Sequence, residues 1–150
     1  MNNLNINKKK NYLSMINNAV GSEMFRELWV NDNQQEKEIL NRGELSCAVF
    51  VTGVLKLHNL IDEQKATVKA AIEAMLKYGW HEVDLVDIQA GDVLVWERKQ
   101  IGYKHPHIGF YVGDKKAISN NWKLKKVVRH GWDYGGRRKI VKVLHWDFTD

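Results

Sequence analysis

Apolar positions repeat at helical spacing in the first half of this chain and at alternating spacing in the second. The first ten residues are polar and rich in Asn and Lys, and read as a flexible tail ahead of one domain over 11–150. From Tyr12 to about Val30, apolar residues recur three and four apart, with a break at Gly21-Ser22. The spacing predicts two helices, with Ser22 a candidate cap for the second. Asn31 to Arg42 is polar and reads as a loop with a short helical turn.

Ser46 opens the most apolar segment: Cys47, Ala48, Val49, Phe50, Val51, Val54, Leu55 and Leu57. Its length, to about Leu60, predicts a buried helix rather than a strand, with Ser46 as cap and Cys47 at its first position. A further helix runs from its cap Thr67 along Val68, Ala71, Ile72, Met75 and Leu76 to a stop at Gly79. From Gly91 the period becomes two. Asp92–Glu97, Ile108–Val112, Lys116–Asn120 and Ile140–Trp146 read as strands, with turns at Gly113–Lys115 and Gly135-Gly136 and a loop over Ile101–Lys104. Helices first and antiparallel strands second is an α+β order.

With 150 residues, 44% apolar and 27% charged, the chain is long enough to bury an ordinary core and too apolar to be disordered. No run reaches the roughly 18 apolar residues that a membrane span needs. No apolar stretch follows the N-terminal charges, so no signal peptide is expected. The expected location is the cytoplasm, or outside the cell by a signal-independent route. Net charge is +5, which suits an anionic partner without naming one. The basic clusters at Lys8–Lys10, Lys123–Lys126 and Arg137–Lys139 read as solvated surface.

One cysteine excludes an intrachain disulfide and a Cys-rich metal site. His58, late on the Cys helix, reads as covering carbonyls at its C-terminus, while His81, His130 and His145 have no ligand spacing that suggests zinc, and no cofactor or metal is expected. A cysteine at a helix start is a different matter. Unsatisfied N–H groups and the helix dipole favour its thiolate, and an imidazole beside it can shuttle the proton. His107, at a strand start, is the candidate imidazole, with His105 expected at a rim. The loop His130–Gly136 carries Trp132, Asp133 and Tyr134, read mainly as packing.

The segments Ser46-Cys47-Ala48-Val49-Phe50-Val51, Ala90-Gly91-Asp92-Val93-Leu94 and His107-Ile108-Gly109-Phe110-Tyr111-Val112-Gly113 together resemble the NlpC/P60 and CHAP group of papain-like cysteine peptidases. The resemblance covers about Gly43 to Asn121. Ser46 stands where the group usually has Asp, and Ala48-Val49 where it has Ser-Gly. The resemblance implies a papain-like α+β fold in which N-terminal helices pack on an antiparallel sheet of about four to six strands. It implies Cys47 as nucleophile and His107 as base. It implies a third, orienting group about twelve positions after the base, on Ser119 or in the run Ser119-Asn120-Asn121-Trp122. Asn orients an imidazole better than Ser, and alternation puts Ser119 and Asn121 on one face. Asn121 is therefore preferred, with Asn120 (if the strand carries a bulge) and Ser119 as alternatives.

The expected function is hydrolysis of a peptide or amide bond, with peptidoglycan stem peptides as the substrate class that the resemblance implies. An acyltransferase would use the same residues. The alternative is a non-catalytic binding module whose basic and aromatic surface, around Trp122 to Arg129, takes a cell-wall polymer or nucleic acid. No nucleic-acid motif accompanies that surface, so nucleic acid is the less expected partner.

Overall fold

The computed structural model of the protein describes residues 4–99 and 105–149. The loop expected over Ile101–Lys104 lies outside them. Three helices and an antiparallel six-stranded sheet make an α+β architecture.

Helix α1 spans Lys8–Asn18 and starts inside the segment read as a tail, because Asn7 caps it: its Oδ1 accepts from the Lys10 N–H at 2.8 Å. Tyr12 and Ile16, one turn apart, are its buried residues. The Tyr12 hydroxyl donates to the Gly91 carbonyl at 2.8 Å and ties α1 to the entry of the sheet. The second helix expected before Val30 does not form. Ser22 accepts from the Met24 N–H in a local turn, and Trp29–Asp32 (β1) pairs with Gln35–Glu38 (β2) as a hairpin. Its two-residue turn, Asn33-Gln34, has positive φ at both positions, the geometry that matches strand twist. The alternating polar face of this hairpin hid it from a search for apolar periodicity.

Helix α2, Cys47–Leu57, begins where the pattern predicted and ends one turn sooner. Cys47 through Thr52, Val54 and Leu55 are all buried. Phe50 lies edge-on between Phe25 and Phe110, at ring distances of 5.1 and 5.4 Å. Helix α3, Val68–Tyr78, is capped by Thr67, whose Oγ1 accepts from the Ala70 N–H at 3.2 Å. It stops at Gly79, whose φ of +133° is open only to glycine at low cost.

Six further strands follow: β3 His81–Glu82, β4 Val93–Trp96, β5 His107–Gly113, β6 Lys116–Asn121, β7 Lys126–Gly131 and β8 Ile140–His145. They lie in the order β3-β8-β4-β5-β6-β7. β3 and β7 have no counterpart in the sequence reading. β7 falls within the basic stretch that suggested a surface, where Val127 alone is fully buried.

Alternation divides the sheet as the sequence predicts. Val93, Val95, Ile108, Phe110 and Ile118 join the helices in the main core. Leu94, Trp96, Tyr111, Ala117 and Val143 form a second cluster on the opposite face. His107 belongs to this second face, with its ring 5.2 Å from that of Trp96. Among the described residues no helix is long and apolar enough to cross a membrane.

Ile108 is fully buried in the main core. Ile108→Asp places an unpaired charge there and should cost at least ~3 kcal/mol. Urea denaturation checks this; a midpoint equal to that of the wild type would overturn the assignment of faces.

Candidate active site

Cys47 occupies the first position of α2, as expected, although the Ser46 hydroxyl makes no capping hydrogen bond. The backbone N–H groups of Ile108, Ala48 and Cys47 itself interact favourably with a thiolate at this sulfur. The sulfur thus sits beside the peptide that joins His107 to Ile108. Packing of α2 on β5 thus brings the start of the helix to the start of the strand.

The electrostatics differ from the expectation of a thiol acidified by its helix. Burial dominates and pushes the Cys47 thiol up to about 11, against the smaller pull of the three N–H groups and the Arg138 guanidinium. Burial likewise holds His107 well below the usual imidazole range, with Arg138, His130 and Lys99 adding repulsion. At neutral pH the resting state is a neutral thiol and a neutral imidazole.

The group that touches the His107 ring is Ser119. Its Oγ lies 2.9 Å from His107 Nε2, and the residue is fully buried. Asn121, the preferred third group, is engaged elsewhere: its Oδ1 accepts from the Lys123 and Leu124 N–H groups and shapes the β6–β7 turn. Asn120 points to the other face and donates to the Gly43 carbonyl at 2.8 Å. β6 pairs with β7 in unbroken register, so no bulge there exchanges these roles. Asp92 is also structural. Its carboxylate accepts from the Gln89 N–H at 2.8 Å and lies 2.6 Å from His145 Nδ1.

Ser119 has further partners that the sequence did not single out. His130 Nε2, from β7, lies 2.7 Å from its Oγ, and the Tyr134 hydroxyl 3.3 Å. Tyr134 stacks on His130 with ring centres 4.1 Å apart. Arg138, read as surface, is buried; it donates to the Glu97 and His105 carbonyls at 2.9 and 2.8 Å. Period-two alternation in β7 was the available signal for His130. No local pattern distinguishes Arg138 from its exposed neighbours Arg137 and Lys139.

Gly109 explains why this cluster can close. A Cβ there would stand 2.7 Å from Ser119 Cβ, 2.8 Å from the Ile118 carbonyl oxygen and 3.1 Å from the Trp96 ring. The glycine between His107 and Tyr111 is thus a requirement of close strand packing around Ser119.

A cleft of about 320 Å³ reaches Cys47. Leu45, Ala66, Val68 and Pro106 give it apolar walls, and the exposed Lys69, Arg98 and His105 line its outer part. His105 takes the rim position expected of it. Asp133 lies elsewhere, accepting from the Gly135 N–H in its own turn. Among the described residues no group of histidine, cysteine and carboxylate side chains could hold a metal ion.

The fold is similar to that of NlpC2 from Trichomonas vaginalis, with a TM-score of 0.58 and 13% identity. The likeness covers 95% of this chain and 47% of that one, so this chain spans about half the length of the solved structure. No family model matches the sequence, and no curated protein matches it.

Two outcomes follow from this packing. Gly109→Ala should destabilise the protein by about 1–3 kcal/mol, since the Ile118 carbonyl cannot move aside freely. Calorimetry checks the loss, and an unchanged Tm would contradict the close approach. The second outcome concerns acid. His107 and His130 are both held below the ordinary imidazole value of 6.5 in the folded protein. Below that pH the unfolded rings bind protons that the folded ones refuse. Stability is therefore full above about 6.5 and falls as pH drops, by up to about 1.4 kcal/mol per pH unit for each ring. Urea titrations at about pH 7.5 and about pH 5.5 should show a smaller acid loss in His107→Gln than in the wild type.

Proposed function

We infer that this chain is a cysteine-dependent amide or peptide hydrolase of the NlpC/P60 kind, on a papain-like fold. One observation carries the reading. A helix-start cysteine sits beside the peptide that follows a buried histidine, and that histidine is held through Nε2 by a polar group one strand away. General thiol catalysis needs those three parts.

Proton positions support the direction of transfer. The Gly131 carbonyl lies 2.8 Å from His130 Nδ1 and can only accept, so Nδ1 carries the proton of that ring. His130 Nε2 then accepts the Ser119 hydroxyl proton. The Ser119 oxygen in turn accepts from His107 Nε2–H and from the Tyr134 hydroxyl. This leaves Nδ1 as the basic nitrogen of His107.

In the proposed reaction Nδ1 takes the Cys47 proton as the sulfur attacks the carbonyl carbon. The thiol is too weak an acid to ionise beforehand, so deprotonation accompanies attack. Arg138 and the N–H groups of the first turn of α2 stabilise the negative charge that develops. The Nδ1 proton then passes to the departing amine, leaving a thioester on Cys47. Water, deprotonated by the same nitrogen, attacks the thioester carbonyl; the C–S bond breaks, the acid departs, and the Nδ1 proton returns to the Cys47 sulfur.

The apolar walls and cationic outer part of the cleft suit a peptide that carries carboxylates, and peptidoglycan stem peptides are the first class to assay. A binding module on the same fold is the competing reading, favoured by the depth of the thiol: Cys47 is only 6% exposed.

Cys47→Ser and His107→Gln should each abolish cleavage across a panel of peptidoglycan fragments and acyl-peptides, with Cys47→Ser keeping its Tm within a few degrees. Added amine acceptors in the same assay distinguish acyl transfer from hydrolysis. Activity retained in Cys47→Ser would end the hydrolase reading. Ligand binding untouched by Cys47→Ser but lost on changing Lys123, Lys125 or Arg129 would establish the binding module.

Iodoacetamide should label Cys47 slowly near neutral pH and faster as pH rises, because the thiol titrates near 11. Rapid labelling at neutral pH would show that substrate-free Cys47 is already a thiolate.

A further inference from the structure

We propose that His130 is a positioning residue for His107, and that it acts through the Ser119 hydroxyl to keep the His107 proton on Nε2. The inference rests on the reading of His107 as the base, but its test does not depend on cleavage.

The numbers of donors and acceptors around Ser119 decide where each proton lies. A serine hydroxyl has one proton and can turn it in any direction. Against a neutral imidazole it is ambiguous, because it can donate to Nε2 or accept from it. The two arrangements leave opposite tautomers of His107. In one, Nδ1 is a base; in the other, Nδ1 already bears the proton and cannot take one from Cys47. An amide oxygen or a carboxylate at the third position would settle the question by itself, since neither can donate. Ser119 cannot settle it alone.

His130 supplies the missing constraint. Its Nδ1–H is committed to the Gly131 carbonyl at 2.8 Å, so its neutral ring offers only a lone pair at Nε2. That lone pair is 2.7 Å from Ser119 Oγ, shorter than the 2.9 Å to His107. The Ser119 proton goes to His130, and the Ser119 oxygen is left to accept from His107. Tyr134 strengthens the arrangement twice. It stacks on His130, and its hydroxyl finds only an acceptor at Ser119, at 3.3 Å. Every proton in the cluster then has one acceptor.

The same counting gives an acid switch. A second proton on His130 turns Nε2 into a donor. The Ser119 proton then has His107 Nε2 at 2.9 Å as its nearer acceptor, ahead of the Tyr134 oxygen at 3.3 Å, and with the proton there Nδ1 ceases to be the base. Several groups face this equilibrium. The Gly131 carbonyl favours the added proton, burial and Arg138 oppose it, and the Trp96 and Tyr134 rings pack alongside. Lys99 and Arg138 act on His107 in the same sense.

The experiment is nitrogen-detected NMR of the histidine rings in the whole protein, across a pH series, in the wild type, His130→Ala, His130→Gln and Ser119→Ala. Above the titration of His130, wild-type His107 should be protonated on Nε2. In His130→Ala the Ser119 proton loses its acceptor, and His107 should move toward the Nδ1–H form. His130→Gln offers an amide oxygen and should restore Nε2–H. Ser119→Ala should remove the preference. Where cleavage is measurable, His130→Ala should lose at least about 100-fold in kcat, as other wrong-tautomer variants do. His130→Gln should recover much of this loss and extend activity to lower pH.

An Nε2–H ring in His130→Ala, matching the wild type, would overturn the proposal. Should that variant fail to fold, the wild-type titration decides: His107 must change tautomer as His130 gains its second proton, and a fixed tautomer through that titration is the overturning result. The tautomer changes occurring without any cleavage would support the positioning role and count against the hydrolase instead.

Discussion

The packing of α2 against β5 governs the rest of the molecule. α2 is apolar on nearly every side, so it must be enclosed rather than laid on a surface. β5 carries Ile108 and Phe110 on the helix side, α1 brings Tyr12, and Phe25 closes over Phe50. Once α2 is enclosed, its N-terminus has one place to be, beside the start of β5. The starts of α2 and β5 come together because a core was built around the helix.

The electrostatics around Cys47 and His107 follow from burial. Among the described residues no carboxylate belongs to the groups that shift Cys47 or His107, and Arg138 acts on both. A buried imidazolium with a guanidinium nearby is disfavoured, and so is a buried thiolate with only N–H groups and one cation to support it. The pair therefore rests neutral. Selectivity for one proton arrangement has to come from hydrogen bonding, and Ser119 is where those bonds converge. The tight approach of β5 and β6 at Gly109 makes that convergence possible.

Glycine and polar residues next to the site have separate tasks. Asp92 holds the turn into β4 and meets His145 on β8, so the Gly-Asp landmark secures the sheet. Asn120 and Asn121 look equivalent in sequence but do different work: one fastens β6 to the Gly43 carbonyl, and the other closes the β6–β7 turn.

The sequence by itself determined the elements whose patterns are strong and local. The apolar run after Ser46, the Thr67 cap with its Gly79 stop, and the alternation from Gly91 onward gave α2, α3 and four strands, with the faces of β5 and β6. It also placed Cys47 and His107 at element boundaries, within distinctive local sequences. Its failures have a common cause. The β1–β2 hairpin and β7 are polar edge strands with little apolar alternation, so their pairing is set by turns and neighbours. The third group at His107 depended on register. Ser119 faces Gly109 across the β5–β6 ladder, and no spacing rule weighs that against the better chemistry of asparagine. His130, Tyr134 and Arg138 come from a later strand and loop, and only tertiary packing brings them to Ser119 and Cys47. The acidity of the thiol was decided the same way. A helix start favours the thiolate in any context, but how far the sulfur is buried is a property of the assembled fold, and here burial is the larger effect.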